Sequence, residues 1–147
     1  MLLEKYTNLN LDNQLCFAVY ACSREITKSY RPLLEELDIT YPQYLVLLVL
    51  WEHERLTVKE IGNHLLLDSG TLTPMLKRME QANLIHRIHD TEDERKRYII
   101  LSDFGKSLQE KATCIPKEMA PKFGLTFKEY TELLNMLTKV TNNLLDK

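Results

Sequence analysis

No apolar run in this chain approaches the ~20 residues that a bilayer span requires. The longest candidate, TYPQYLVLLVLW over 40–51, is interrupted by Pro42 and Gln43, so no membrane partner is expected. The N-terminal stretch MLLEKYTNLNLDNQL has no basic segment followed by an apolar core. Without a secretory signal, a cytoplasmic setting is expected. Charge of one sign is not in excess either: 19 Lys and Arg against 21 Asp and Glu leave a formal net charge of -2. A polycation that coats nucleic acid is thereby excluded, and any DNA contact has to come from a local basic cluster. Cysteine is sparse. Three residues at irregular spacing build neither a disulfide scaffold nor a zinc module. His53, His64, His86 and His89 are dispersed without metal-ligand spacing. G-x-S-x-G, the phosphate-binding glycine loop and paired carboxylates are all missing. No metal, no cofactor and no catalytic role are expected.

What is present is strongly periodic. A chain of 147 residues has room for one well-buried domain and little for a second. Repeats, low-complexity segments and flexible linkers are absent, so a single domain over 1–147 is expected. Leu15, Val19, Cys22, Ile26 and Tyr30 recur at helical spacing, which predicts a helix from about Leu11–Asn13 towards Tyr30. Pro32 is expected to end or bend it, with Leu33, Leu34 and Leu37 on a short second piece. Thr40 caps a helix over 41–53, whose Tyr44, Leu47, Leu48 and Trp51 are expected in the core. Thr57 and Glu60 stand at capping-box spacing before a helix with Val58, Ile61 and Leu65 inside. Gly62 either permits close packing or is merely tolerated there. Asp68 or Ser69 caps the next helix, which buries Leu72, Met75, Leu76 and Met79 and stops at Ala82-Asn83. Strands at 84–89 and 98–101 flank a charged tip, Asp90 to Lys96. Ser102 opens a further helix punctuated by Pro116 and Pro121. Thr126 and Glu129 again match a capping box before a last helix with Tyr130, Leu133, Leu134, Leu137, Val140, Thr141 and Leu144 on one face.

Two short helices, a tight corner and a charged hairpin are the plan of a winged helix-turn-helix. The fold expected is mainly α with a small β wing. Its second helix places Ser69, Thr71, Thr73, Pro74, Lys77 and Arg78 away from the apolar side. The hydroxyls suit phosphates or base edges, and the two cations suit phosphates. Arg87, Arg95, Lys96 and Arg97 cluster in and around the hairpin, interleaved with Asp90, Glu92, Asp93 and Glu94. Asp93 and Arg95 are expected to hold each other while Arg95 enters a narrow minor groove, where the negative potential is strongest. The first and last helices carry more apolar surface than one small winged domain can bury. A two-fold homodimer is the natural solution.

The segment LDSGTLTPMLKRME, followed by the wing sequence Asp93-Glu94-Arg95, resembles the MarR family of dimeric winged-helix regulators. The resemblance runs from QLCF to the last helix. NQLCFAVYACSREITKSYRPLL and DITYPQYLVLLVLWE are similar to its thiol-based, OhrR-like organic-hydroperoxide regulators. LSDFG stands where LTxxG is common, and Ser102 still offers a capping oxygen. The resemblance implies a dimer with two reading heads, dimerisation helices at about 10–38 and 103–147, a winged domain at about 40–102, a palindromic double-stranded operator, and repression released by oxidation or by a ligand.

Cys16 lies on the first helix with Tyr20 one turn later on the same face. Tyr30 is 14 residues beyond Cys16, about 21 Å along a continuous helix at ~1.5 Å per residue. It cannot reach Cys16 of its own chain, whereas two antiparallel first helices would bring Tyr30 of one chain near Cys16 of the other. The resemblance implies that constellation: a reactive cysteine hydrogen-bonded by tyrosines of the partner subunit, with Cys16, Tyr20 and Tyr30 at matching positions. A phenol donating to sulfur favours the thiolate, which attacks a hydroperoxide to give a sulfenic acid. Apolar Leu15, Phe17 and Leu48 would favour an organic hydroperoxide over hydrogen peroxide. Cys22 faces another way around the helix. Cys114, similar in place to the second cysteine of two-cysteine members, is expected to resolve Cys16 as an intersubunit disulfide. A mixed disulfide with a small cellular thiol is the alternative. Other readings stay open: a broader thiol-switch regulator of stress or virulence genes, a thiol peroxidase, or a regulator that binds small aromatic ligands with Cys16 inert, as free cysteines on apolar faces usually are.

Overall fold

The computed structural model describes residues 4–93 and 95–145; Glu94, expected within the wing tip, lies outside them. The chain forms two compact units, one ending at Thr113 and one beginning at Cys114. The segment expected to dimerise at 103–147 is thus divided between them.

In the first unit, α1 spans Leu15–Glu35 without interruption and carries Pro32 inside it. The sequence leads one to expect that Pro32 ends or bends the helix; it does not end it. It forfeits only the bond to the carbonyl four residues back, and burial of Leu34, Leu37 and Ile39 just beyond holds the chain in place. Two 3-10 turns, Glu4–Leu9 and Leu11–Asn13, precede α1 where its first turn was expected. Next comes α2, Tyr41–Glu52, behind a capping box in which Thr40 and Gln43 satisfy each other's amides. It buries Tyr44, Val46, Leu47 and Leu50. Leu48, expected in the core, is exposed instead and Trp51 is half-buried, because the α2 face turned to the core centres on Leu47.

Thr57 and Glu60 form the expected capping box at the start of α3, Val58–Leu65. The turn after it closes with the Leu67 amide donating to the Gly62 carbonyl at 2.9 Å. A Cβ on Gly62 would lie 2.5 Å from the Leu67 carbonyl oxygen, so this glycine permits close approach rather than being tolerated. Asp68 caps α4, Ser69–Gln81, and Asn83 leaves it in the left-handed conformation at φ 58°. The wing is a three-stranded antiparallel sheet in the order β1-β3-β2, with β1 Leu56–Thr57, β2 Ile85–His89 and β3 Arg97–Leu101. Only the β2–β3 hairpin was expected. Two residues are too short for an alternating pattern, so β1 exists through its pairing of Leu56 with Ile99 and Thr57 with Tyr98.

Helix α5, Asp103–Ala112, is pinned to the end of α4. The Ser102 hydroxyl donates to the Asn83 carbonyl and accepts the Gly105 amide at 2.9 Å. The Ser102 amide donates to the Leu84 carbonyl at 3.1 Å, and a Cβ on Gly105 would collide with that same carbonyl oxygen. From the other side the Trp51 indole donates to the Gly105 carbonyl at 3.0 Å. Ser102 is buried, so Ser102→Ala removes a cap and leaves Asn83 without its partner. It is expected to lower the unfolding free energy by about 2 kcal/mol. A urea midpoint unchanged from wild type would contradict this.

The second unit contains α6, Cys114–Met119, a 3-10 turn over Ala120–Phe123, and α7, Phe127–Leu145. Pro116 lies within α6, and Gly124 at φ 62° turns the chain towards α7. Thr126 and Glu129 cap α7 as expected, with the Thr126 amide 2.8 Å from the Glu129 carboxylate. No residue of α7 is buried within the chain. Its expected apolar face, from Tyr130 and Leu133 through Leu137 and Val140 to Leu144, stands exposed.

Candidate DNA-reading surface and sensing thiol

Leu72, Leu76 and Met79 anchor α4 in the core. By helical period this turns Ser69, Thr71, Thr73, Pro74, Lys77 and Arg78 outward, and all six are exposed. The hydroxyls are not equivalent. Asp68 clamps Thr71, taking its amide and its hydroxyl proton at 2.9 Å each. These bonds, the Thr71 amide foremost, hold the Asp68 carboxyl below its usual range. Thr73 donates its hydroxyl to the Ser69 carbonyl at 2.7 Å. Thr71 and Thr73 therefore present lone pairs rather than protons to a ligand, whereas Lys77 and Arg78 present donors. Helix α4 continues through Pro74 without a break.

The wing tip is framed by its acids. The Asp90 carboxylate accepts the Glu92 amide at 2.8 Å and the Asp93 amide at 3.4 Å. Together with the Tyr98 hydroxyl and the charge of Lys96, the Glu92 amide foremost, these hold Asp90 below its usual range. Asp93 and Arg95 do meet, through the backbone of Arg95 rather than its guanidinium. The Asp93 carboxylate accepts the backbone amide of Arg95 at 3.1 Å. An amide two residues on is within reach of a short side chain in a tight turn; the bond shapes the tip and leaves the guanidinium outside. Arg95, Lys96 and Arg97 are exposed. Arg87 is placed differently. It points to α4, with Nε 3.2 Å from Glu80 Oε2. Arg55, which sequence reasoning passed over, lays its guanidinium 4.8 Å from the centre of the Tyr98 ring beside the wing.

Cys16 is the second residue of α1 and is exposed. Leu15, Phe17, Val19 and Tyr20 around it are exposed as well. Leu48 is exposed on α2. The Arg24 guanidinium stacks over the Tyr20 ring at 4.9 Å. Because α1 is unbroken, Tyr30 stays about 21 Å from Cys16. Its ring lies 4.9 Å from Tyr41 and 6.0 Å from Tyr44. Burial raises the Tyr41 hydroxyl above its ordinary pKa. Tyr41 was missed as a companion of Tyr30; an aromatic at the first position of the next helix was the available signal. Cys22 is exposed on α1, and Cys114 is exposed at the first position of α6. His53 and His64, dispersed in sequence, stack at 4.8 Å. Among the described residues no group of three or more His, Cys, Asp or Glu is placed to hold a metal ion.

A helix-turn-helix with an exposed reading helix, followed by a wing whose cations stand outside an acid-braced turn, defines a winged-helix DNA-binding protein. Residues 39–96 match the MarR family. The organic hydroperoxide resistance transcriptional regulator of Bacillus subtilis is 55% identical over 143 residues, spanning 97% of this chain and 95% of its own. AbfR of Staphylococcus epidermidis, solved reduced and bound to DNA, superposes with TM-score 0.81 at 40% identity, covering 95% of this chain and 96% of its own. AbfR with its disulfide formed gives TM-score 0.67 at 38% identity over all of both chains. The chain belongs to the MarR family, and within it is a DNA-binding transcriptional regulator of the redox-sensing kind.

Proposed function

We propose that two copies of this chain pair through the exposed faces of α1 and α7, repress transcription from a palindromic operator, and leave it when an organic hydroperoxide oxidises Cys16. One observation carries the reading. Cys16 is an exposed thiol among exposed apolar side chains, and the Tyr30–Tyr41 phenol pair lies about 21 Å along the same unit, out of its own chain's reach. An antiparallel second copy would cover the apolar face and bring that pair to Cys16 in one step. Covering these half-exposed side chains removes apolar area from water at roughly 25 cal/mol per Å², which disfavours a lone protomer.

The chemistry then runs in two steps. The Cys16 thiolate attacks the distal oxygen of the hydroperoxide: an S–O bond forms, the O–O bond breaks, and the alkoxide takes a proton and leaves as the alcohol. The Cys114 thiolate of the partner subunit attacks the resulting sulfenic sulfur, an S–S bond forms, and hydroxide leaves as water. The disulfide shifts the helices that carry the two reading heads, which lose register with successive major grooves. Each oxidation event switches the regulator once, unlike the steady turnover of an enzyme, and the resting thiols call for a reducing, cytoplasmic setting. On the DNA side, Ser69, Lys77 and Arg78 donate to phosphates, Thr71 and Thr73 accept from base amino groups, Pro74 packs on a thymine methyl, and Arg95 enters the minor groove from the turn set by Asp93.

A non-reducing gel after stoichiometric cumene hydroperoxide tests this. The covalent species expected is a dimer, reversed by dithiothreitol and absent in Cys114→Ser. A monomer carrying a small thiol on Cys16 would overturn the disulfide route.

A further inference from the structure

We propose that Glu80 is a positioning residue for DNA recognition: through Arg87 it fixes the wing to the reading helix and sets the angle between them. The proposal rests on the wing reading above and assigns a role to a carboxylate that would only repel DNA if it acted directly. Glu80 is in the last turn of α4, and Arg87 is at the middle of β2, opposite Ile99 of β3. Their Nε–Oε2 distance is 3.2 Å, with the side chains 25% and 41% exposed for Arg87 and Glu80. Arg87 Nε and Nη2 are shut off from solvent and neither makes a hydrogen bond, so Glu80 holds the guanidinium through charge at 3.2 Å. Those two nitrogens cannot reach a phosphate, which separates Arg87 from the exposed cations of the tip. Alternation along β2 puts Arg87 on the same face as fully buried Ile85.

The geometry is that of a braced corner. Helix α4 and strand β2 join at Ala82–Leu84, where the Ala82 amide bonds the Arg78 carbonyl and the Leu84 amide bonds the Met79 carbonyl, both at 2.9 Å. The base of the sheet is held further by the pairing of β1 with β3 and by buried Ile85 and Ile99, so the angle left to set is that of the outer hairpin. The ion pair is a second attachment three residues from Leu84, about 10 Å out at ~3.3 Å per residue. The end of β2 at His89 is about 17 Å out by the same measure, so any play at the brace is enlarged at the tip that carries Arg95. Without the pair, the outer hairpin loses that tie to a reading helix that is itself intact.

The test uses full-length reduced protein and the tightest duplex that wild type selects from a random-sequence pool. Glu80→Gln is expected to weaken binding about tenfold, as for partners in direct contact, with a salt slope that falls towards that of Arg95→Ala because the displaced wing gives up its phosphate contact. Hydroxyl-radical footprints should lose the flanking minor-groove protection and keep the central major-groove protection. Arg95→Ala should cost less in the Glu80→Gln background than in wild type. The charge swap, Glu80→Arg with Arg87→Glu, should recover most of the affinity. Thermal melting of each variant separates loss of the brace from loss of fold. Equal affinity of Glu80→Gln and wild type overturns the proposal. So does a folded swap that fails to recover, which would make Arg87 a direct phosphate ligand. A wild type that selects no duplex would instead strike the DNA-binding reading itself.

Discussion

Cys16→Ser is expected to bind DNA within about twofold of reduced wild type, as for an exposed near-isosteric change, and to lose release by cumene hydroperoxide altogether. Wild type should weaken about 100-fold on oxidation, within the range of coupling energies between linked sites. The contrast is expected to be large because a hydroxyl replaces the sulfur proposed as the oxidant's target. A serine oxygen at neutral pH is a poor nucleophile towards peroxide, whereas sulfur is a good one as the thiolate. Cys16 is exposed at the start of α1, far from the α4 face and the wing tip in sequence, so serine there leaves the reading surface unaltered. Fluorescence anisotropy of labelled operator before and after oxidant gives the answer. Release that persists in Cys16→Ser would move sensing to Cys22 or Cys114.

The second large effect is on the wing. Arg95→Ala is expected to weaken operator binding at least about tenfold, since a groove-inserted arginine contributes about 1–3 kcal/mol and a dimer loses two. The salt dependence should fall by about two units of slope, one per subunit, at ~0.9 per phosphate neutralised. A monomeric reader would lose about one, so the slope reports on the assembly as well. The turn geometry adds a sign test. Asp93→Ala removes a negative charge from the DNA-facing tip, and Coulomb's law alone favours tighter binding. The Asp93 carboxylate, however, holds the Arg95 backbone amide at 3.1 Å. Its loss should therefore weaken binding by loosening the turn. Identical salt titrations for wild type and Arg95→Ala would remove the wing from the interface.

The parts legible in the sequence are those set by local spacing. Thr57 with Glu60 and Thr126 with Glu129 declare helix starts three residues ahead, and both boxes formed. Asn83 marks the end of α4 because asparagine tolerates the left-handed region, and its φ is 58°. The helix-turn-helix and the hairpin follow from such signals. What was not legible depends on partners distant in sequence. The strand Leu56–Thr57 has no pattern of its own and exists through Ile99 and Tyr98. Pro32 stays within α1 because tertiary burial of its neighbours outweighs one missing bond. Arg87 and Arg95 look alike in a charged run. Only the fold shows one turned to Glu80 and the other outward. Tyr41 joins Tyr30 because α1 and α2 pack together, which spacing along either helix does not reveal.

The central claim, that oxidation at Cys16 is what separates the protein from DNA, is tested most directly by one titration. Operator-bound protein is taken through increasing cumene hydroperoxide while anisotropy and intact mass are read from the same samples. The account predicts that release advances in step with the fraction of protomers whose Cys16 is joined to Cys114 of the partner subunit. Full release while the mass spectrum still shows Cys16 as a thiol would contradict it.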